Sequence, residues 1–232
     1  MTIAIIIPVL NEEDALPRLL KNLLRMPFDD IIVVDGGSQD GTVQVAKPFL
    51  GQASPGRMQF VSSAPGRAVQ MNAGATKTQA DILVFLHADT ELPGQAPHCI
   101  RQAMAEASCV GGRFDVRFPD DSGWAWVISR MMNLRSRWTG ICTGDQAIFV
   151  RRSIFERLGG FADIPLMEDI ELSTRLKKTG RMSALPDTVT TSFRRWQQGG
   201  PLRTILRMWT LRLLYWIGCH PRTLRQFYDE TR

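Results

Sequence analysis

The chain has 232 residues, 44% hydrophobic and 22% charged, with a formal net charge of +5; this is the balance of a folded domain, and it excludes disordered and fibrous classes. Four cysteines (Cys99, Cys109, Cys142, Cys219) form no C-x-x-C pair, so neither a zinc framework nor a disulfide scaffold is expected, and a reducing, cytoplasmic setting is the default. No apolar run reaches the roughly 18 residues of a membrane span, and the opening MTIAIIIPVLNEE lacks the basic start of a signal peptide.

In chain order, Ile3–Val9 is a continuous apolar run, the pattern of a strand covered on both faces. NEEDALPRLLKNLLRM follows with leucines at helical spacing; Asn11 is the expected N-cap, with Glu12, Glu13 and Asp14 suiting the positive end of that helix. DIIVVDGGS predicts a second buried strand ending in a glycine turn, SQDGTVQVAKPFL a short helix, RMQFVSS a third strand, GRAVQMNAGATKT a helix and DILVFLHAD a fourth strand. This alternation over the first 90 residues predicts a parallel, doubly wound α/β sheet, whose ligands sit beyond the carboxyl ends of the strands.

Beyond residue 90 the pattern is less regular. A helix (PGQAPHCIRQAMAEA), a strand (VGGRFDVRF), a helix (GWAWVISRMMNLRSRW), a strand and helix (AIFVRRSIFERLGGF), a helix (PLMEDIELSTRLKKTG), a β-rich run (TVTTSF) and a long final helix opened by Pro201 are expected. The division implied is one domain, 1–200, with halves 1–90 and 91–200, followed by a C-terminal basic amphipathic helix and tail, 201–232. From Arg194 onward eight arginines stand against only Asp229 and Glu230, so the positive excess is a C-terminal property. In the last helix Leu202, Ile205, Leu206, Trp209, Leu213, Trp216 and Ile217 share one face, with Arg203 and Arg207 elsewhere. Such a basic amphipathic helix either lies in an anionic membrane interface or packs on the sheet with snorkelling arginines. No nucleic-acid-binding module is visible, and nucleic acid is not an expected partner.

Several polar groups fall where a ligand should bind. His87 and Asp89, two residues apart after the fourth strand, would face one pocket if the strand continued that far. Asp89 suits a divalent cation bridging a diphosphate, and the imidazole favours Mn²⁺ over Mg²⁺; a helix cap is the competing account. Asp35 would cap the DGGS turn or accept from a pyrimidine or ribose. Arg67 offers a planar fork to a diphosphate, with Gln70 and Asn72 beside it, or lies on a solvated helix face. Glu168 and Asp169 open a helix, where acids are favoured anyway. The glycine fingerprint of a nicotinamide-binding domain is absent after the first strand.

Taken in order, PVLNEED, VVDGGSQDGT, GRAVQMNAGA, FLHADT, GDQAIFVRR…LGGF, MEDIEL and RRW resemble the family 2 glycosyltransferases of the GT-A fold, across roughly residues 3–196. The DGGS, HAD and RRW variants resemble a bacterial subgroup of small enzymes in that family, some linked to arsenosugar biosynthesis. The resemblance implies a Rossmann-like, mostly parallel sheet flanked by helices. It implies an inverting transfer of a sugar from a nucleoside diphosphate, UDP favoured, to a hydroxyl acceptor that is a small molecule or lipid-linked. It assigns Pro8, Asn11, Glu12, Asp35, Arg67, Asn72 and His87 to the nucleotide, Asp89 to Mn²⁺ or Mg²⁺, and Asp169, beside Glu168, to general-base catalysis. Asp145, Gln146, Arg194, Arg195 and Trp196 fall to the acceptor or diphosphate. Localisation is expected to be cytoplasmic, or peripheral at the inner face of the membrane. The alternatives are a nucleotidyltransferase of similar fold and a non-catalytic sugar-nucleotide-binding or membrane-associated protein. Two departures stand out: His87 replaces the first Asp of the usual Asp-x-Asp motif, and Gly36 replaces the second Asp of the usual DDGS.

Overall fold

A computed structural model describes residues 1–50 and 57–228; Asp229–Arg232, the end of the expected C-terminal segment, lie outside the described residues. The strands are β1 (Ile3–Val9), β2 (Asp30–Asp35), β3 (Met58–Ser62), β4 (Ile82–Phe85), β5 (Thr90–Glu91), β6 (Cys109–Arg117), β7 (Ile148–Arg151) and β8 (Arg181–Thr191). They form one sheet in the order β3-β2-β1-β4-β7-β6-β8-β5. The helices are α1 (Leu16–Leu23), α2 (Thr42–Leu50), α3 (Arg67–Ala75), α4 (Ala96–Met104), α5 (Gly123–Thr139), α6 (Arg152–Arg157), α7 (Glu168–Leu176), α8 (Arg194–Gly199), α9 (Pro201–Trp216) and α10 (Pro221–Arg225).

The unbroken apolar run of β1 follows from burial on both faces. Ile3, Ile5, Ile7 and Val9 pack on Leu16, Leu19, Leu20 and Leu23 of α1. Ala4 and Ile6 point the other way, toward Ala68 and Met71 of α3. Each such buried isoleucine stabilises the fold by roughly 1.5–3 kcal/mol, so the first half of the sheet is a firm platform for its carboxyl-edge loops.

The sheet is mixed, not parallel throughout. β3, β2, β1 and β4 run parallel, but β7 is antiparallel to both β4 and β6; β8 is parallel to β6, and β5 antiparallel to β8. Two glycines allow this junction. A Cβ on Gly111 would lie 2.5 Å from the Phe149 carbonyl oxygen, and one on Gly112 would strike the Ser183 carbonyl and the Phe149 ring. Bare backbone lets β6 approach its neighbours.

Two local expectations need correction, and one open alternative is decided. Asn11 caps no helix: α1 begins after Ala15, with no side-chain cap and no acid in its first turn. Instead Asn11, at φ +55°, joins two loops; its N–H donates to Ser38 Oγ (2.9 Å), and its Oδ1 accepts from Gln39 N–H (2.8 Å). The strand does not extend to His87 and Asp89 either: β4 stops at Phe85, and a turn closed by Thr90 N–H to the His87 carbonyl (3.1 Å) follows. Of the two arrangements open to α9, packing of its apolar stripe on the sheet is not the one adopted. Leu211 and Thr204 are its buried residues, and Leu211 packs with Ile141, Leu166, Met167 and Ile170. Of the predicted stripe, Ile205 alone joins a core cluster; Leu202, Leu206, Trp209, Leu213, Trp216 and Ile217 are exposed, from 59% (Leu213) to 71% (Trp216).

Candidate active site

The carboxyl ends of β1, β2 and β4 deliver three loops to one edge of the sheet, where α/β ligands bind. Two adjoining hollows lie there. The larger, about 180 Å³, is lined by residues of α5, α7, α8 and α9 and includes Glu168, Asp169, Met167 and Trp196. The smaller, about 60 Å³, is lined by Pro8, Glu12 and Ala88. Arg67, His87, Asp89, Asp145, Arg194, Arg195 and Tyr228 line both. His87 and Asp89 therefore do share a pocket, brought there by a turn and not by strand alternation.

Asp169 is fixed before any ligand arrives. Its Oδ2 accepts from Gly144 N–H (2.9 Å) and its Oδ1 from Ile170 N–H (2.7 Å), leaving lone pairs free on both oxygens. Glu168, its neighbour, is buried; burial and then the Asp169 charge push its carboxyl above the usual range, with Arg67 opposing. The backbone is strained at this corner, because Met167 holds φ +70° immediately before the pair. Ala147, after the single 3₁₀ turn Gly144–Gln146, holds φ +49°. Strain of this kind costs about 1–3 kcal/mol per residue and gathers at functional sites.

Asp145 accepts from His87 Nδ1 at 3.3 Å. Crowding by protein disfavours its charge, although its side chain keeps 39% of its surface. The hydrogen bond and charge of His87, then Arg195 and Arg67, more than offset that, and the carboxyl is held well below the usual range. Arg67 shows the reverse balance. Burial works against its charge, but Tyr228, Glu168, Asp145 and Asp169 together raise its pKa above the ordinary arginine value. Arg195 lies over the Tyr228 ring, 5.1 Å from its centroid. Trp196 stacks on Phe193 and meets Phe118 edge-on.

Four residues that the family resemblance assigns to the site line neither hollow. Asp35 is buried and spends its carboxylate on the DGGS turn, accepting from Gly37 N–H (3.1 Å), Ser38 N–H (3.2 Å) and Ser38 Oγ (2.6 Å). Asn11 ties loops as described. Asn72 latches α3 to the segment after α6, donating to the Phe161 carbonyl and accepting from Phe161 N–H, both at 2.9 Å. Gln146 is fully buried and completes a capping box with Thr143. Conversely, Tyr228, Arg135 and Arg212 line the larger hollow and were not anticipated. Arg135 was hidden inside a helix read for its apolar content, and Tyr228 comes from a tail without a motif.

Gly36 has a partner that explains it. A Cβ there would sit 2.9 Å from Gln70 Cδ, and Gln70 is buried, donating to the carbonyls of Val9 and Val34 at 2.8 Å each. The Gln70 amide occupies the volume a carboxylate at position 36 would need.

His87, Asp89 and Asp145 supply an imidazole and carboxylate oxygens of the kind Mn²⁺ accepts. Among the described residues, no three His, Cys, Asp or Glu side chains gather closely enough to hold a cation alone. A cation held by Asp89 would need phosphate oxygens to complete its coordination.

The sheet order, the carboxyl-edge site and the acid pair that opens α7 define an α/β protein of the GT-A type. Solved structures agree on the fold. The mannosyltransferase PcManGT from Pyrobaculum calidifontis, in complex with GDP-Man and Mn²⁺, superposes with a TM-score of 0.67 at 20% identity, covering 90% of this chain and 60% of that one. S. aureus TarS 1–349 in complex with UDP-GlcNAc gives 0.61 at 15% identity, over 83% of this chain and 58% of that one. The sequence profile of Glycosyl transferase family 2 matches residues 4–159, and the chain belongs to that family. A probable glycosyltransferase, YdaM of Bacillus subtilis (strain 168), is 26% identical over 201 residues, 77% of this chain and 47% of its own length. The undecaprenyl-phosphate 4-deoxy-4-formamido-L-arabinose transferase of Pseudomonas paraeruginosa is 29% identical over 168 residues, 67% of this chain and 49% of its own. The chain thus spans about half the length of these curated relatives. Among the described residues no helix is long and apolar enough to cross a membrane.

Proposed function

We propose that this glycosyltransferase moves a sugar, with inversion, from a nucleoside diphosphate to an acceptor hydroxyl, with Asp169 as the general base. The observation that carries this reading is the shared wall of the two hollows. Arg67, Arg194 and Arg195 flank the smaller, polar side, and Asp169 belongs only to the larger side. A diphosphate seated among the three arginines presents its sugar toward Asp169, and the acceptor enters from the opposite side, as a single displacement requires. Asp169, oriented by Gly144 N–H, takes the acceptor proton. The guanidinium forks receive the charge that develops on the leaving diphosphate. Asp89, with His87 and Asp145 nearby, would hold Mn²⁺ or Mg²⁺; when bound, such a cation neutralises the diphosphate as it leaves.

The donor nucleotide is a uridine or guanosine diphosphate, UDP favoured; the structurally similar proteins bound to UDP-GlcNAc and GDP-Man support that pair. The undecaprenyl-phosphate transferase relatives support a lipid-linked acceptor. Two exposed stripes favour an approach to an anionic membrane surface. α5 exposes Trp124, Met131, Leu134 and Trp138, spaced as one helical face, and α9 exposes Leu202, Leu206, Trp209, Leu213 and Trp216 in the same manner. Arginines Arg130, Arg203 and Arg207 accompany them, the composition of an interfacial surface.

Thermal-shift screening of nucleoside-diphosphate sugars with and without Mn²⁺ tests the reading, since a ligand of the folded state raises the melting temperature. The expected result is stabilisation by one donor, deepened by Mn²⁺, with the Mn²⁺ increment lost in Asp89→Ala. Binding without transfer to any acceptor would instead mark a sugar-nucleotide-binding protein.

A further inference from the structure

The diphosphate side of the site is finished by a residue that belongs to no motif. Tyr228 follows α10, well beyond RRW, and lines both hollows together with Arg67 and Arg195. Packing carries it there. Leu224 of α10 is buried in one cluster with Leu211 of α9, and Tyr228 packs on the same cluster. The turn into α10 is capped: His220 Nδ1 accepts from Arg222 N–H at 3.2 Å. The tail is thus tied to α9 and ends where the two hollows meet. What the ring meets there is a cation. The Arg195 guanidinium lies over it, 5.1 Å from the centroid, inside the roughly 6 Å over which a ring face attracts such a group. Among the described residues no carboxylate stands within ion-pair distance of Arg195. Its N–H donors are therefore not consumed by a protein acid. Burial opposes the charge of Arg67, and Tyr228 is foremost among the groups that sustain it, so the same side chain stands near a second donor-side arginine. Trp196, next to Arg195 on α8, is fixed by Phe193 and Phe118. The helix is anchored there, and the ring governs the free end of Arg195.

We propose that Tyr228 is a positioning residue for the donor diphosphate: its aromatic face holds Arg195 at the junction of the two hollows, with the guanidinium donors left for phosphate oxygens. An arginine ordered before the ligand arrives has less rotamer freedom to lose on binding it. A ring can do this where a carboxylate could not, because a carboxylate would compete with the phosphate for the same N–H groups. The inference rests on the glycosyl-transfer reading and adds to it a residue of the C-terminal tail.

The full chain is titrated calorimetrically with UDP and with GDP as wild type, Tyr228→Phe, Tyr228→Leu, Arg195→Met and the Tyr228→Leu/Arg195→Met double variant. Wild type is expected to bind at least one of the two nucleotides. Tyr228→Leu keeps apolar bulk against the α10 cluster but has no ring face. It should weaken that binding about three- to thirtyfold, the span of a cation–π contact. Tyr228→Phe keeps the face and should stay within about threefold of wild type. In the Arg195→Met background Tyr228→Leu should cause no further loss, because the two side chains act as one unit. A ring that merely packs on α9 would weaken binding equally with or without Arg195. Should Tyr228→Leu not fold, Tyr228→Met carries the same expectation. The inference is overturned if the Leu variant binds like wild type, if Tyr228→Phe falls as far as Tyr228→Leu, or if the two losses multiply in the double variant. Tighter binding by Tyr228→Leu also overturns it, since the ring would then obstruct the site. Any of these in a chain whose wild type binds nucleotide leaves glycosyl transfer standing; a wild type that binds neither UDP nor GDP sinks both.

Discussion

The backbone N–H of Gly144 holds the Asp169 carboxylate at 2.9 Å, and the same glycine faces the His87 ring so closely that a Cβ would lie 2.5 Å from Cε1. One residue thus sets the position of the proposed base and of the imidazole bound to Asp145. Gly144→Ala must move the ring or the 3₁₀ turn. Displacements of about 1 Å at a reacting centre cost on the order of 10²-fold, so kcat should fall by about that factor while the melting temperature changes little. Steady-state kinetics beside a thermal melt decides it; wild-type kcat in this variant would show that the contact has no catalytic weight.

Asp169→Asn retains the shape of the side chain and loses the proton acceptor. The amide should leave donor affinity intact and lower kcat by about 10²–10⁴-fold, the range for loss of a general base. Turnover near wild type would remove Asp169 from that role.

Glu168 gives the fold a pH signature. Its folded pKa is raised, by burial and then by Asp169, so between the ordinary value of about 4.3 and the raised one the folded state holds a proton that the unfolded chain has released. Stability therefore falls as pH rises through that window. Asp145 acts with the opposite sign and elsewhere: its folded pKa is depressed, so its contribution is present above about 3.9 and lost on acidification below it. Melting curves from pH 4 upward should show Glu168→Gln gaining on wild type as pH rises. A difference between the two that stays constant across the window would reject this account.

The outward stripes make a prediction about surfaces. Replacing Trp209 and Trp216 together by Ser should abolish co-sedimentation with vesicles containing anionic lipid, and should leave the fold unchanged, because both side chains are more than half exposed. Wild-type binding should also weaken as salt screens the arginines. Equal sedimentation of the variant and wild type would argue against membrane contact through α9.

Much of the architecture was legible because burial writes itself into β1, β2 and β4 as apolar runs, and into α1 as leucines three and four apart. The antiparallel insertion of β7 was not, since Ile148–Arg151 is too short to declare a direction and the glycines that admit it, Gly111 and Gly112, read only as weak strand positions. Asp89, Asp145, Glu168 and Asp169 were placed by motif order, and the structure brings them to adjoining walls. Asp35 and Asn72 line neither hollow: Asp35 caps the DGGS turn, one of its two expected roles, and Asn72 is tied to a neighbouring loop. Periodicity correctly grouped the stripe of α9 but could not say which way it faced, because the same spacing serves a core and an outer surface.

The fit between Gly36 and Gln70 makes the two positions one unit of variation. An acidic side chain at position 36 would collide with the Gln70 amide behind it, and shortening Gln70 alone would take one donor from each of the carbonyls of Val9 and Val34 at the ends of β1 and β2. Each single exchange is penalised, so engineering of this turn has to treat the two positions together.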